Sequence, residues 1–125
     1  MKIKNELDEI RLNIISENSR LEGKISLDQT SRVFGNLVGD VSAPAGSLLI
    51  LCDTSVVEGN IQADSVFVDG YVKGDITAMT RILVSSTGRI IGNIKTPSLK
   101  MDFGAYFEGK AVVEGIAIPP TASET

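Results

Sequence analysis

The chain has 125 residues, is 42% hydrophobic, and contains no stretch approaching the roughly 18 consecutive apolar residues of a membrane span, so composition points to one small domain with a modest core. Twelve basic against sixteen acidic residues leave a net charge of −4 with no basic cluster, which repels a phosphate backbone and excludes nucleic acid as the expected partner. The absence of histidine removes the usual general base near neutral pH, the commonest metal ligand and the histidine-dependent triads, and the single Cys52 can form no internal disulfide.

The first twelve residues, MKIKNELDEIRL, are rich in charge and lack the apolar run of a secretory signal, which makes the cytoplasm the expected compartment. Ile3, Leu7, Ile10 and Ile14 recur at helical spacing. Residues 1–12 have three open readings: a disordered tail, a short cap on the first coil of the domain, or a membrane-contacting peptide using Met1, Lys2, Ile3 and Lys4, with Glu6, Asp8 and Glu9 opposing attraction to anionic lipid. The segment NIISENS, from Asn13, then begins the first coil of a repeat.

That repeat is a seven-residue unit with apolar third and seventh positions and glycine fifth. It occurs as SRLEGKI from Ser19, GNLVGDV from Gly35, SVVEGNI from Ser55, GYVKGDI from Gly70, GRIIGNI from Gly88 and AYFEGKA from Ala105. The starts lie 16, 20, 15, 18 and 17 residues apart, the longest step containing the insertion SAPAGS. A near-constant period of this length is the signature of a solenoid. Four-residue apolar spacing also fits a helix, but glycine in every copy costs helix stability and freely takes the dihedrals of a corner. Each unit therefore reads as strand, corner, strand, with Gly23, Gly39, Gly59, Gly74, Gly92 and Gly109 at the corners.

Between units, pairs of apolar residues separated by one residue mark a further short strand with one buried face: Val66 and Val68, Ile82 and Val84, Leu99 and Met101, Ile116 and Ile118. Phe67, Leu83 and Lys100 then point outward. In the coil with the insertion, Ile50 and Cys52 fill the equivalent inward places if one extra corner residue is allowed, which makes the thiol core filler. Three short strands per period bury their inward residues only if each coil sits on the last. The predicted fold is all-β, a three-sided β-helix of about six coils and roughly 30 Å length at the strand spacing. Residues 13–118 form the helical domain and residues 119–125 a disordered tail. Hexapeptide β-helices, which are left-handed, keep a strict six-residue period; these uneven spacings fit a looser, right-handed winding.

Two stretches imitate chemistry. GAYFEGKA, Gly104 to Ala111, nearly matches a phosphate-binding loop, but alanine stands where the metal-binding hydroxyl belongs and no helical pattern follows. Carboxylates such as Asp40, Asp75, Glu58 and Glu108 recur on corners and outer faces, yet a rod without long loops offers no cleft for a cooperating pair. No catalytic, cofactor-binding or metal-binding residues are assigned.

A β-helix has two open ends that expose unpaired backbone and apolar cross-section, and such edges recruit other strands unless capped. The tail PPTASET cannot extend a ladder past Pro119 and Pro120. Phe103, Tyr106 and Phe107 cluster near this end, either as a locally larger core or as a contact with a second subunit, since aromatic residues concentrate at well-packed interfaces. The second reading predicts end-to-end stacking into filaments.

The stretches NIISENSRLEGKI, VVEGNIQADSVFVDGYVKGDI, STGRIIGNIKTPSL and FGAYFEGKAV, taken in order, resemble the bactofilins, bacterial polymer-forming cytoskeletal proteins, over roughly residues 13–118. The resemblance implies a right-handed β-helix rod that polymerises end to end without nucleotide or other cofactor. It also implies a cytoplasmic scaffold, often beneath the inner membrane, with cell-wall-modifying enzymes among its partners and cell shape among its outputs. Two readings from other classes stand beside it: a hexapeptide-type acyltransferase, against which the missing histidine and irregular period speak, and an exported β-helical carbohydrate-binding module.

Overall fold

A computed structural model describes residues 12–114, in which every regular element is a β-strand. In chain order these are β1 (Leu12–Ile15), β2 (Arg20–Ser26), β3 (Thr30–Val33), β4 (Asn36–Ser42), β5 (Leu48–Leu51), β6 (Val56–Glu58) and β7 (Ile61–Val68). There follow β8 (Tyr71–Lys73), β9 (Ile76–Val84), β10 (Arg89–Ile91), β11 (Ile94–Thr96), β12 (Leu99–Met101), β13 (Tyr106–Glu108) and β14 (Ala111–Val113). Each pairs in parallel with the strand one coil away, giving a solenoid of about six turns.

The pairings resolve into three faces. Face A stacks β1, β3, β5, the second halves of β7 and β9, and β12. Face B stacks the first halves of β2 and β4 with β6, β8, β10 and β13. Face C stacks the ends of β2 and β4, the starts of β7 and β9, then β11 and β14. The core is the set of inward columns. On face B, for example, Leu21, Leu37, Val57, Val72, Ile90 and Phe107 lie in register, and the four central members are fully buried. Burying one such side chain stabilises by about 1.5–3 kcal/mol.

The corner between faces B and C shows why the repeat needs glycine. Gly23, Gly39, Gly59, Gly74, Gly92 and Gly109 stack on one another with φ between +112° and +150°, where side-chain-bearing residues are strained. From Gly39 onward, a Cβ would also be driven into the carbonyl oxygen of the glycine one coil earlier. At Gly23, in the first coil, the same position has no atom within 4 Å.

The next residue completes the corner. Asn60 Oδ1 accepts from the Asp75 N–H at 3.4 Å, Asp75 Oδ1 from the Asn93 N–H at 3.0 Å, and Asn93 Oδ1 from the Lys110 N–H at 3.2 Å. The third, fourth and fifth coils thus each supply a side-chain acceptor to a corner amide of the next, which accounts for Asn or Asp after those glycines. Lysine occupies this place in the first and last coils, as Lys24 and Lys110, and has no acceptor to offer.

The expected register holds for the regular coils. The five residues from Ile61 to Val66 against six from Ile76 to Ile82 are taken up by a bulge opposite Asp64, where the Thr80 hydroxyl donates to the Asp64 carboxylate. In the coil with the insertion the expectation is wrong by one residue. Leu49 and Leu51 pair with Val66 and Val68 and point inward, whereas Ile50 pairs with Phe67 and points outward. The cause is the insertion's own geometry. Ser47 N–H closes a turn onto the Pro44 carbonyl at 3.1 Å, and Gly46 N–H donates to the Asp64 carboxylate at 2.6 Å, so the strand begins at Leu48. Cys52 is buried all the same, at the start of the following turn.

The stacked corner predicts two different glycine substitutions. Gly74→Ala should lower the unfolding free energy by about 3 kcal/mol or more, because φ strain and collision with the Gly59 carbonyl act together. Gly23→Ala should cost about 1 kcal/mol from φ alone. Equal losses in denaturant titrations followed by circular dichroism would refute the role of stacking.

Candidate functional site

At the two ends of the described residues the regular ladder has a partner strand on one side only. Among the described residues, β12, β13 and β14 each pair on one side only, and so do β1 and β2 at the opposite end. The last coil's inward residues Leu99, Met101, Ala105 and Phe107 pack against the core below and are only partly buried, while Val113 is 51% exposed. The first coil's inward positions are more mixed. Leu21 is 40% exposed, but Asn13 also points in, its amide donating to Ser31 Oγ at 3.2 Å and to the Asp28 carbonyl at 2.9 Å. The first coil also sets Ile15, Ile25 and Leu27, partly buried, against the core, so among the described residues both tips present apolar side chains.

The three aromatic residues expected there divide into separate roles. Phe107 extends the inward column above Ile90, which is the enlarged-core reading. Tyr106 faces outward on face B in register with Arg89, and its hydroxyl donates to Glu108 Oε1 at 2.8 Å. That hydrogen bond, with the Glu108 charge behind it, raises the phenol above its ordinary pKa. Phe103 is fully exposed, at 101%. It occupies the second position of the turn Asp102–Ala105, closed by the Ala105 N–H on the Asp102 carbonyl at 3.1 Å. The same turn in other coils, Ser16–Ser19, Cys52–Ser55 and Ser85–Gly88, carries Glu17, Asp53 and Ser86 at that position. A phenyl ring where the repeat otherwise places a solvated polar group contributes nothing to its own coil.

The other sequence candidates fall into place around this end. Gly104 lies in the turn before β13, Gly109 in the corner after it, and β14 follows instead of a helix. The stretch resembling a phosphate-binding loop is thus one ordinary coil, with the Lys110 amide engaged by Asn93. Met1, Lys2, Ile3 and Lys4 lie outside the described residues, as do Ile116, Ile118 and the PPTASET tail. Among the described residues, no helix is long and apolar enough to cross a membrane, and no group of three or more His, Cys, Asp or Glu side chains is placed to hold a metal ion.

A family profile described as bactofilin, polymer-forming cytoskeletal, matches residues 13–112. The chain belongs to the bactofilin family. It is similar to bactofilin BacO of Myxococcus xanthus (strain DK1622), 29% identical over 96 residues that make 77% of this chain and 75% of that protein. It is also similar to bactofilin BacP of the same organism, 26% identical over 97 residues, 78% of this chain and 40% of that protein. Among solved structures it resembles a bactofilin of Thermus thermophilus reconstructed by cryo-EM as double helical filaments. The TM-score is 0.74 at 28% identity, covering 81% of this chain and 98% of that one. The matched span of the family profile ends in β14 and so includes Phe103, Tyr106 and Phe107.

Within this bactofilin solenoid the one cysteine is placed for packing. Burial pushes the Cys52 thiol above its ordinary pKa, with Arg32 opposing and Asp69 and Asp53 reinforcing the shift. A thiol held protonated and covered is a poor nucleophile. Cys52 should react with an aromatic disulfide reagent at pH 7 at least about 100-fold more slowly in the folded than in the urea-unfolded protein. Comparable rates would place the thiol at the surface.

Proposed function

We propose that this bactofilin assembles end to end into filaments without nucleotide and serves as a cytoplasmic scaffold for cell-shape or cell-wall-associated processes. The observation that carries the proposal is the C-terminal coil: three strands that among the described residues pair on one side only, a partly covered apolar cross-section, and Phe103 projecting from a turn that elsewhere carries polar residues. The filaments of the Thermus thermophilus relative and the polymer-forming description of the family support it. In this reading residues 13–118 are the polymerising unit, Phe103 and Phe107 lie at the junction with Tyr106 on its rim, and no residue has a catalytic role. Met1, Lys2, Ile3 and Lys4 supply whatever contact is made with the inner membrane, and cell-wall-modifying enzymes are the partners the scaffold would organise.

Charge bears on the junction's polarity. Continuing the solenoid head to tail in unchanged register would set Glu108 over Glu22 and Lys110 over Lys24, since these pairs share columns in the first and last coils. Like charges in directly opposed positions destabilise a sheet by a few tenths of a kcal/mol each or more. Junctions between like ends avoid that opposition and favour a filament without polarity.

The test is negative-stain electron microscopy of the purified full chain with no nucleotide added. Wild-type protein should form filaments, and Phe103→Arg should leave folded rods that stay dispersed, because the substitution touches no contact within its own coil. Phe107→Arg should also abolish filaments but should unfold the last coil as well. Filaments that persist in Phe103→Arg would remove Phe103 from the junction, and dispersed wild-type rods at every salt and protein concentration would end the proposal.

A further inference from the structure

Face B carries two outward columns. The one nearer face A runs Arg20, Asn36, Val56, Tyr71, Arg89 and Tyr106, and the other runs Glu22, Val38, Glu58, Lys73, Ile91 and Glu108. In the first coil the two columns neutralise each other, because Arg20 pairs with Glu22 at 2.6 Å. In the fifth coil Arg89 stands beside Ile91 instead, and neither Arg89 nor Lys73 forms an ion pair with another described residue. Arg89 lies in register between Tyr71 and Tyr106, the two tyrosines of a chain that has no tryptophan. With Ile91 and Gly104 these three residues line one surface groove, and a second groove, bordered by Val56 and Thr87, continues it past Tyr71 and Arg89. The first groove is open toward the C-terminal tip because Gly104 has no side chain, where the same turn position in other coils carries Asn18, Thr54 and Thr87.

The spacing of this column matches an extended segment in the polyproline II conformation. Two strand spacings, about 9.6 Å, separate Tyr71 from Tyr106, and one polyproline II turn of three residues advances about 9.3 Å. Residues three apart in such a segment meet the two rings, with Arg89 between them. Proline-containing segments dock in aromatic-lined grooves in this way, since they are extended beforehand and lose little entropy on binding. The sequence supplies one close by. Pro119 and Pro120 are the chain's only consecutive prolines, and proline holds both its own backbone and that of the preceding residue near this conformation.

We infer that residues 119–124, PPTASE, leave the ladder beside the last coil and dock along the column of Tyr71, Arg89 and Tyr106 of their own chain. The register leads them there. Val113 pairs with Thr96, and the Glu114 N–H donates to the Thr96 carbonyl at 3.0 Å, so the ladder is still in step at residue 114. Asp102, at the edge between faces A and B, follows Thr96 at the spacing by which Pro119 follows Val113. Pro119 thus arrives one coil beyond Asp102, next to Tyr106, and the two prolines cannot continue the ladder onto face B. Pro119 and Pro120 then stack on Tyr106, and Ser123, one polyproline turn beyond Pro120, meets Tyr71. Glu124, the one charged residue of PPTASET, reaches the two cations Arg89 and Lys73. The contact is small, but tethering supplies an effective concentration on the order of millimolar, so weak binding suffices. A tail laid along face B leaves the apolar cross-section of the tip uncovered, and the inference does not depend on filament formation.

With two tyrosines and no tryptophan, intrinsic fluorescence reports on this column alone. The test is its quenching by acrylamide in the wild-type full chain, in the double variant Pro119→Gly with Pro120→Gly, in Glu124→Arg, in Arg89→Glu, and in the exchange that combines the last two. Thermal melts confirm that each variant folds, and electron microscopy selects samples in one state of assembly, so that any junction near Tyr106 shields all of them alike. The proline variant should be quenched roughly twofold more strongly than the wild type, since stacking covers one of the two faces of each ring. Each single charge variant should move in the same direction, and the exchange should return toward the wild-type value. Equal quenching of wild type and proline variant would overturn the inference, as would an exchange no better protected than its two single variants. So would protection that grows with protein concentration in dispersed rods, which puts the tail on another copy. Equal quenching in all tail variants that drops when a peptide of Pro-x-x-Pro repeats is added would give the groove to a separate partner and also overturn it. Wild-type rods that never form filaments fail the end-to-end proposal and leave this one standing.

Discussion

Every coil turns between faces B and C at a point where backbone lies directly on backbone. The glycine of one coil sits against the carbonyl of the glycine below, at a separation that admits no side chain, and the dihedral at that point is one that other residues resist. Because the chain bends there in the same way each time, the apolar residues on either side of the glycine, four apart in sequence, point into one core from two adjacent faces. Asn60, Asp75 and Asn93, each following its glycine, then satisfy a corner amide of the next coil. Glycine column, amide ladder and inward columns are one arrangement seen at three distances from the corner.

Much of this is legible from residues alone, and the reason is local. A coil needs glycine at one place and aliphatic residues at fixed offsets from it, so the period, the three-strand coil and the outward placement of Phe67, Leu83 and Lys100 can be read directly. The insertion coil defeats the same reading because LLIL has no alternation. Four apolar residues in a row give no phase, and only pairing with β7, together with the tie from Gly46 to Asp64, decides that Leu49 and Leu51 turn in and Ile50 out. That one-residue error conceals Ile50 as the link between Arg32 and Phe67 on face A.

The candidate site is half legible. Aromatic clustering draws attention to the C-terminal end, but residues four apart in sequence stand on opposite sides of a turn, and sequence does not say which of them the turn exposes. Phe107 belongs to a column, Tyr106 to a surface row with its own hydrogen bond, and Phe103 to neither. The signal that separates them is comparison between coils: only after the turns are aligned does a phenyl ring opposite Glu17, Asp53 and Ser86 stand out. Function in a solenoid is most visible as departure from its own repeat.

The lysines that follow the first and last corner glycines carry a different implication. The coils of Asp75 and Asn93 both give and receive the corner bond, so either could be duplicated or deleted with little change to its neighbours. The coils bearing Lys24 and Lys110 lack that interchangeability, for neither can hand an acceptor onward. Rod length is thus free to drift over evolutionary time by whole coils gained or lost in the middle, while the two tips are inherited as fixed pieces.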